Sequence, residues 1–260
     1  MPYLLDLNAD VGEERGDDEG LLRIVTTANV AAGGHAGGGV VLARTVLAAL
    51  GRGVAVGAHP SYADPRSFGR GPRPERHSLA DVVDHVTEQV LAVGAAVAVH
   101  GARLSHVKAH GTLYNDAVVD RVLADALVAA VERARRDLGY DRLPIMGLSG
   151  SCLADSALAA SVPFVAEAFA DRAYGPDGAL VPRSQAGSMI HDVDEICARV
   201  VGMAADGRVR AIDGSHVAIT ASTVCVHGDS PGAVEIARAV RAALESNGVT
   251  VASLPVPGSP

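Results

Sequence analysis

The sequence predicts an α/β fold in which βα units repeat around a parallel sheet, and three observations lead there. Short β-type runs alternate with longer helical runs from end to end. The length of 260 residues is normal for one α/β barrel and ample for a buried core. The hydrophobic fraction of 48% is mostly Ala, Val and Leu, with 3% aromatics and no Trp, which suits close packing of helices on a sheet.

In order, the run Tyr3 to Asn8 opens the series as a strand. Thr26 to Ala31 leads into a helix over Val40 to Arg52, and Val54 to Ala58 into one over Leu79 to Val99. His106 to Lys108 precedes a helix over Ala117 to Leu138, and Pro144 to Leu148 one over Cys152 to Ala160. Pro163 to Phe169 is followed by Val193 to Ala205, and Thr223 to His227 by Ala233 to Asn247, with Val249 to Leu254 a candidate eighth strand. Two stretches break the alternation. Tyr62 to His77, rich in Pro, Gly and Arg, reads as a long loop of the kind that often carries function. Val209 to Thr220 alternates apolar and polar residues around Asp213-Gly214, as a hairpin does. One barrel domain is expected over residues 1–254, with a loose tail from Pro255 to Pro260.

Composition narrows the function. A formal net charge of -8 argues against sequence-independent nucleic-acid binding, which needs a basic surface. Asp6 and Asp10 fall where a signal peptide would need an unbroken apolar stretch, and no later segment reaches the roughly 18 apolar residues of a membrane span. Cys152, Cys197 and Cys225 are odd in number, widely spaced and without a CxxC pair, as reduced thiols are. The expected setting is cytoplasmic, with a homo-oligomer left open.

Nearly every expected strand ends in ionisable or amide side chains, although strands covered on both faces should be almost purely apolar. Barrel enzymes carry their reactive groups at such strand ends. Asp6, Asn8 and Asp10 share one face at two-residue spacing, and Glu13 follows. His35 lies in the turn Gly33 to Gly37, and His59 ends the third strand before Pro60-Ser61. His106, Lys108 and His110 alternate on the fourth, before Tyr114 and Asn115. The sixth supplies Glu167, Phe169 and Asp171 before Arg172, and the last ends in His227-Gly228-Asp229. Singly, most of these residues have ordinary explanations. His106, His191 and His216 read as structural or solvated, and Cys225 as core without chemistry. Arg66, Arg70, Arg73 and Arg76 read as a solvated loop face, with Arg70 alone within reach of an anion. Asp6 either caps a backbone turn or joins the polar group. Convergence is harder to explain away, because each desolvated ion costs several kcal/mol unless paired, and such clusters mark sites. No GxxxxGK[ST] string and no strand-borne GxGxxG turn is present, so the chain has no autonomous nucleotide loop, and Gly37-Gly38-Gly39 reads as a turn before a helix.

Taken together, these strings resemble the LamB/YcsF family. The matching segments are Asp6 to Glu13, Gly57 to Ser61 with Phe68-Gly69-Arg70, His106 to Lys108 with His110-Gly111 and Leu113-Tyr114-Asn115, Glu167, Phe169 to Arg172 with Tyr174, Leu180 to Gln185, and Val226 to Asp229. They appear in family order from residue 4 to about residue 253. The resemblance implies a distorted (β/α) barrel of the glycoside hydrolase/deacetylase type. It also implies a reaction in which ATP hydrolysis drives conversion of 5-oxoproline to glutamate, shared with two further subunits, B and C, with ATP bound mainly by those partners. The second motif departs from the pattern: Ala31 to Gly38 reads AAGGHAGG, without the family's usual Cys, Phe and final Asp, although His35 is kept. Ala109 and Thr112 stand where Pro and Met are usual.

Within that expectation Asp10 or Asp229 is the general base for water, and Lys108 and His110 stabilise the oxyanion or phosphate. Asn8, Glu13, His35, His59, Asp171 and Arg183 bind and orient the substrate. Two alternatives stay open. One is a stand-alone metal-dependent deacetylase or amidohydrolase with Asp10, His35 and His59 holding a divalent ion. The other is a binding component without chemistry of its own.

Overall fold

The computed structural model describes residues 3–73 and 78–254. Seven parallel strands, β1 (Leu4–Val11), β2 (Thr27–Ala31), β3 (Ala55–His59), β4 (Val107–Lys108), β5 (Ile145–Leu148), β6 (Phe164–Phe169) and β9 (Thr223–Val226), pair in that order. The ring closes because β9 pairs with β1 as well as β6, so this sheet of seven has no free edge. Helices α2 (Gly39–Leu50), α3 (Leu79–Ala98), α4 (Gly111–Val119), α5 (Arg121–Asp137), α6 (Cys152–Ala159), α7 (Val193–Asp206) and α8 (Ala233–Ser246) form the crossovers. The barrel expected from the sequence is therefore present, with each expected strand within three residues of its observed limits.

Four local expectations change. The helix expected over Ala117 to Leu138 is two, because Asp120 turns back and accepts hydrogen bonds from the backbone N–H groups of Val122 and Leu123, starting α5 afresh. A short helix, α1 (Asp18–Leu21), follows β1 where none was expected, capped by Asp17. The candidate eighth strand shrinks to β10 (Thr250–Val251), which pairs only with Leu4 and Leu5 at the start of β1 and takes no part in closure. Arg70 is not on a solvated face, as described below. The hairpin around Asp213-Gly214 forms as read, β7 (Arg208–Arg210) pairing antiparallel with β8 (His216–Ala218). Arg76 and the tail Pro255 to Pro260 lie outside the described residues.

Inside the ring the side chains are polar and fully buried, which requires every group to be satisfied. Asp6 does not cap a turn: its carboxylate accepts from the hydroxyls of Thr26, Thr27 and Thr223. Burial nevertheless pushes its pKa above the usual range, the three hydroxyls pulling the other way. One layer up, Asn8 Nδ2 donates to Thr223 Oγ1 (2.7 Å), and Asn29 Nδ2 donates to both Asn8 Oδ1 (2.7 Å) and Asp10 Oδ1 (2.8 Å). Since Asn29 Nδ2 is so used, its Oδ1 faces His106 Nε2 at 2.6 Å as an acceptor, and Ser105 Oγ donates to His106 Nδ1 (2.8 Å). His106 is thus a neutral structural histidine, as the sequence reading held. Its ring lies directly over Gly57 on β3, where any Cβ would collide with it.

Candidate active site

The carboxyl ends of the strands carry the next layer. Asp10 ends the interior-facing series of β1, with Glu13 just beyond it, and His35 comes from the β2–α2 turn. His59 is the last residue of β3, Lys108 the last of β4, and His110 stands immediately before α4. Glu167 lies on β6, Asp171 just past it and His227 just past β9.

Lys108 is the hub. Its Nζ lies 2.7 Å from Glu167 Oε1 and 3.0 Å from Asp10 Oδ1, and donates to Cys225 Sγ (3.2 Å). Cys225 is buried as expected, but it faces this ammonium instead of purely apolar neighbours. Burial would drive the Lys108 pKa down; the Asp10 and Glu167 carboxylates outweigh it and hold the ammonium charged. Asp10 is also pulled upward by burial, yet the charges of His59 and Lys108 keep it well below the usual carboxylate range.

Beside it three imidazoles pack together. His35 stacks on His110 with ring centroids 3.6 Å apart, and His59 meets both rings edge-on. His59 Nδ1 lies 2.8 Å from the Lys108 carbonyl and His110 Nε2 3.0 Å from the Phe68 carbonyl. Phe68 adopts φ 55°, a conformation uncommon for a bulky residue, and in it offers that carbonyl to the site. His35 Nε2 faces Glu13 Oε1 at 2.9 Å. Burial lowers the pKa of His110 and His35, whereas His59, also buried, is raised by the Asp10 carboxylate.

Also at these strand ends, His227 Nδ1 lies 2.7 Å from Asp171 Oδ1, and Ser230 Oγ donates to Asp171 Oδ2 (3.0 Å). Burial raises the Asp171 pKa, but the adjacent His227 charge and hydrogen bond bring it below the ordinary value. A carboxylate can only accept here, so the Nδ1 proton is fixed and Nε2 is left as the free ring nitrogen. Arg70, from the loop between β3 and α3, pairs with Asp229 at 2.6 Å across the rim. Arg70, Arg172 and Arg183 lie along one wall; burial lowers the pKa of Arg172 to about 10, with the Arg183 charge adding to the effect. Among these groups opens a cavity of 440 Å³, floored by Asp10, His59, Lys108 and His110 and flanked by His227, Phe169 and the three arginines.

Against this geometry stand the comparisons with known proteins. The family model described as "LamB/YcsF family" matches residues 5–257. The chain belongs to the LamB/YcsF family. Its relatives include the A subunit of 5-oxoprolinase from Mycolicibacterium gilvum (strain PYR-GCK), 49% identical over 254 residues, covering 96% of this chain and 98% of that protein. The protein of the same name from Bordetella parapertussis (strain 12822 / ATCC BAA-587 / NCTC 13253) is 47% identical over 256 residues, covering 96% and 99%. Among solved structures, the lactam utilization protein from Thermus thermophilus superposes with a TM-score of 0.89 at 40% identity, covering 97% of this chain and all of that one.

Of the residues singled out from the sequence of this LamB/YcsF chain, Asp10, His59, Lys108, His110 and Arg183 line the cavity. Asn8, Glu13, His35 and Asp171 stand behind that surface as buried partners of lining groups. Asp229 sits at the rim, engaged by Arg70. Sequence reasoning counted Glu167, Arg172 and His227 among the converging strand-end residues and allowed Arg70 reach to an anion without giving any of them a role, read Cys225 as core, and missed Asn29. A signal existed for Asn29, since an amide in Thr27–Ala31 is out of place on an otherwise apolar strand. For Arg70 the sequence offered only possible reach to an anion and not its partner, because a loop's sequence does not say which way it folds. One departure in the second motif, Gly34, is also explained locally. A Cβ at Gly34 would collide with the Gln89 amide and the Ser61 hydroxyl, so Gln89, donating from Nε2 to the Ser61 carbonyl (2.8 Å), fills the space that a larger residue at position 34 would need.

Proposed function

We propose that this chain is the A component of an ATP-dependent 5-oxoprolinase, a hydrolase that opens the lactam of 5-oxoproline to glutamate while ATP becomes ADP and phosphate. In this reading ATP is bound mainly by partner subunits B and C, and the complex is cytoplasmic. The observation that carries it is the His227–Asp171 pair facing a cation-walled cavity in a chain 49% identical to a protein named as the A subunit of 5-oxoprolinase. The sequence holds no phosphate-binding loop of its own, which fits a division of labour.

A five-membered lactam is a resonance-stabilised amide with a poor leaving group. Phosphorylation of its oxygen by ATP makes the ring carbon electrophilic. Water then adds to that carbon and gives its proton to His227 Nε2, which Asp171 orients and compensates. The carbon–nitrogen bond breaks as the proton passes to the ring nitrogen, leaving a free amine and an acyl phosphate. A second water releases phosphate from the latter. His227 suits the base role better than Asp10 or Asp229: Asp10 is held ionised by His59 and Lys108, which leaves it weakly basic, and the Asp229 carboxylate is already taken up by Arg70. Lys108 and His110 stabilise the oxyanion or phosphate at the cavity floor. Arg183 meets the substrate carboxylate. Asn8, Glu13, His35 and His59 keep those groups oriented.

The deciding assay mixes the purified chain with its two partner subunits, ATP and 5-oxoproline and measures glutamate and ADP. Both products are expected only from the complete mixture. Absence of glutamate from an intact mixture sinks the assignment, and efficient turnover by the isolated chain without ATP replaces it with a stand-alone amidohydrolase.

A further inference from the structure

Four residues with potential ligand atoms, Asp10, Glu13, His59 and His110, converge at and just behind the cavity floor, one such atom from each lying within 4.8 Å of the others. His59 Nε2 lies 3.0 Å from His110 Nδ1, 3.4 Å from Asp10 Oδ2 and 3.9 Å from Glu13 Oε1, and His110 Nδ1 lies 3.3 Å from Glu13 Oε1. In a tetrahedral site with bonds of 2.0–2.2 Å, neighbouring ligand atoms stand about 3.3–3.6 Å apart. These four of the six separations bracket that range.

The histidine tethers point the same way. His59 Nδ1 and His110 Nε2 each face a backbone carbonyl, which can only accept, so both must carry hydrogen. In neutral rings this leaves lone pairs on His59 Nε2 and His110 Nδ1, aimed at each other and at two carboxylates. Lone pairs so arranged repel unless a proton or a metal cation lies among them. Histidines that ligate metals are held by their far nitrogen in this way. Asp10 is divided similarly, its Oδ1 taken by Asn29 and Lys108 and its Oδ2 left toward His59. Formal charge agrees once His59 is a neutral ligand: Asp10, Glu13 and Glu167 bring three negative charges to a buried cluster in which Lys108 brings one positive, and one divalent cation in place of a proton on His59 cancels the remainder.

We propose that Asp10, Glu13, His59 and His110 form a binding site for one divalent cation of the zinc class, with nitrogen and oxygen donors in equal number. His35, which the sequence placed in the ligand set, is a positioning residue instead: its Nε2 is spent on Glu13 and its ring supports His110 by stacking. Asp10, His59 and His110 reach the cavity, so the ion would border the substrate space. The proposal does not depend on the lactam reading.

The test is metal binding, without substrate or partners. The full chain, stripped with chelator and dialysed, is titrated with Co²⁺ and then Zn²⁺ by calorimetry, with the Co²⁺ visible absorption spectrum followed in parallel. One equivalent is expected, with a d–d spectrum of low coordination number that Zn²⁺ abolishes. His59→Gln and His110→Gln should each weaken binding by at least about 100-fold, and His35→Ala, a change behind the ligands, by about 10- to 100-fold. The exposed His191→Ala should change nothing. Less than half an equivalent bound by the wild-type chain, or undiminished affinity in folded His59→Gln and His110→Gln, overturns the proposal. Should those variants fail to fold, the wild-type stoichiometry and spectrum decide alone.

Discussion

Among the buried groups through which acidification should weaken this protein, the ring of His106 can be isolated. Burial, with the charges of Lys108 and His59 adding to it, lowers the His106 pKa from its ordinary 6.5 to about 3. The folded value lies below the unfolded one, so as pH falls the unfolded chain takes up the proton first. The stabilisation is therefore complete above pH 6.5 and is lost progressively between 6.5 and about 3. At about 1.4 kcal/mol per pKa unit, the loss reaches about 3 kcal/mol by pH 4. The geometry gives the reason: a second proton would go to Nδ1, which accepts from Ser105 Oγ, and Gly57 leaves the ring no room to turn. Denaturant unfolding at pH 7, 6, 5 and 4 should be compared for the wild type and His106→Gln, which keeps a donor toward Asn29 and cannot titrate in this range. Whatever its own stability, the variant should lose about 3 kcal/mol less than the wild type between pH 7 and 4. Parallel pH profiles for the two proteins would refute the reasoning.

Three further outcomes follow from the same geometry. Lys108→Met should cost about 3–5 kcal/mol in denaturant unfolding, because it strands Asp10 and Glu167 as buried carboxylates; a loss under about 1 kcal/mol would contradict the hub role. In the reconstituted complex, His227→Asn and Asp171→Asn should each lower kcat by about 10²- to 10⁴-fold with KM nearly unchanged, and equal kcat in all three proteins would remove His227 as base. Gly34→Ala should destabilise by about 1–3 kcal/mol through overpacking against Gln89 and Ser61, and adding Gln89→Ala should give a double variant less damaged than the sum of the singles; strict additivity would show that the two positions do not compete for space.

The sequence by itself determined whatever depends on short-range periodicity. Side chains in a strand alternate faces, so Asp6, Asn8 and Asp10, and likewise His106, Lys108 and His110, could be assigned to common faces from spacing alone. Because successive βα units put the carboxyl ends of their strands on one side of the sheet, those residues could also be grouped from the order of the elements. The resemblance to LamB/YcsF proteins rested on the same residues, and the match over residues 5–257 bears it out. Tertiary structure alone decided which of them touch. Closure of β9 onto β1 brings Thr223 to Asp6 and Cys225 beside Lys108. The fold of the loop between β3 and α3 turns Arg70 from a candidate surface residue into the partner of Asp229, 159 positions away. It also brings the Phe68 carbonyl under His110 and so fixes which ring nitrogen is free. The exchange of His35 for Glu13 and His110 around the four-atom cluster has the same origin. Spacing along a strand is set by local backbone geometry, whereas contacts between strand ends depend on how the barrel closes and how the loops pack, and no window of sequence contains that information.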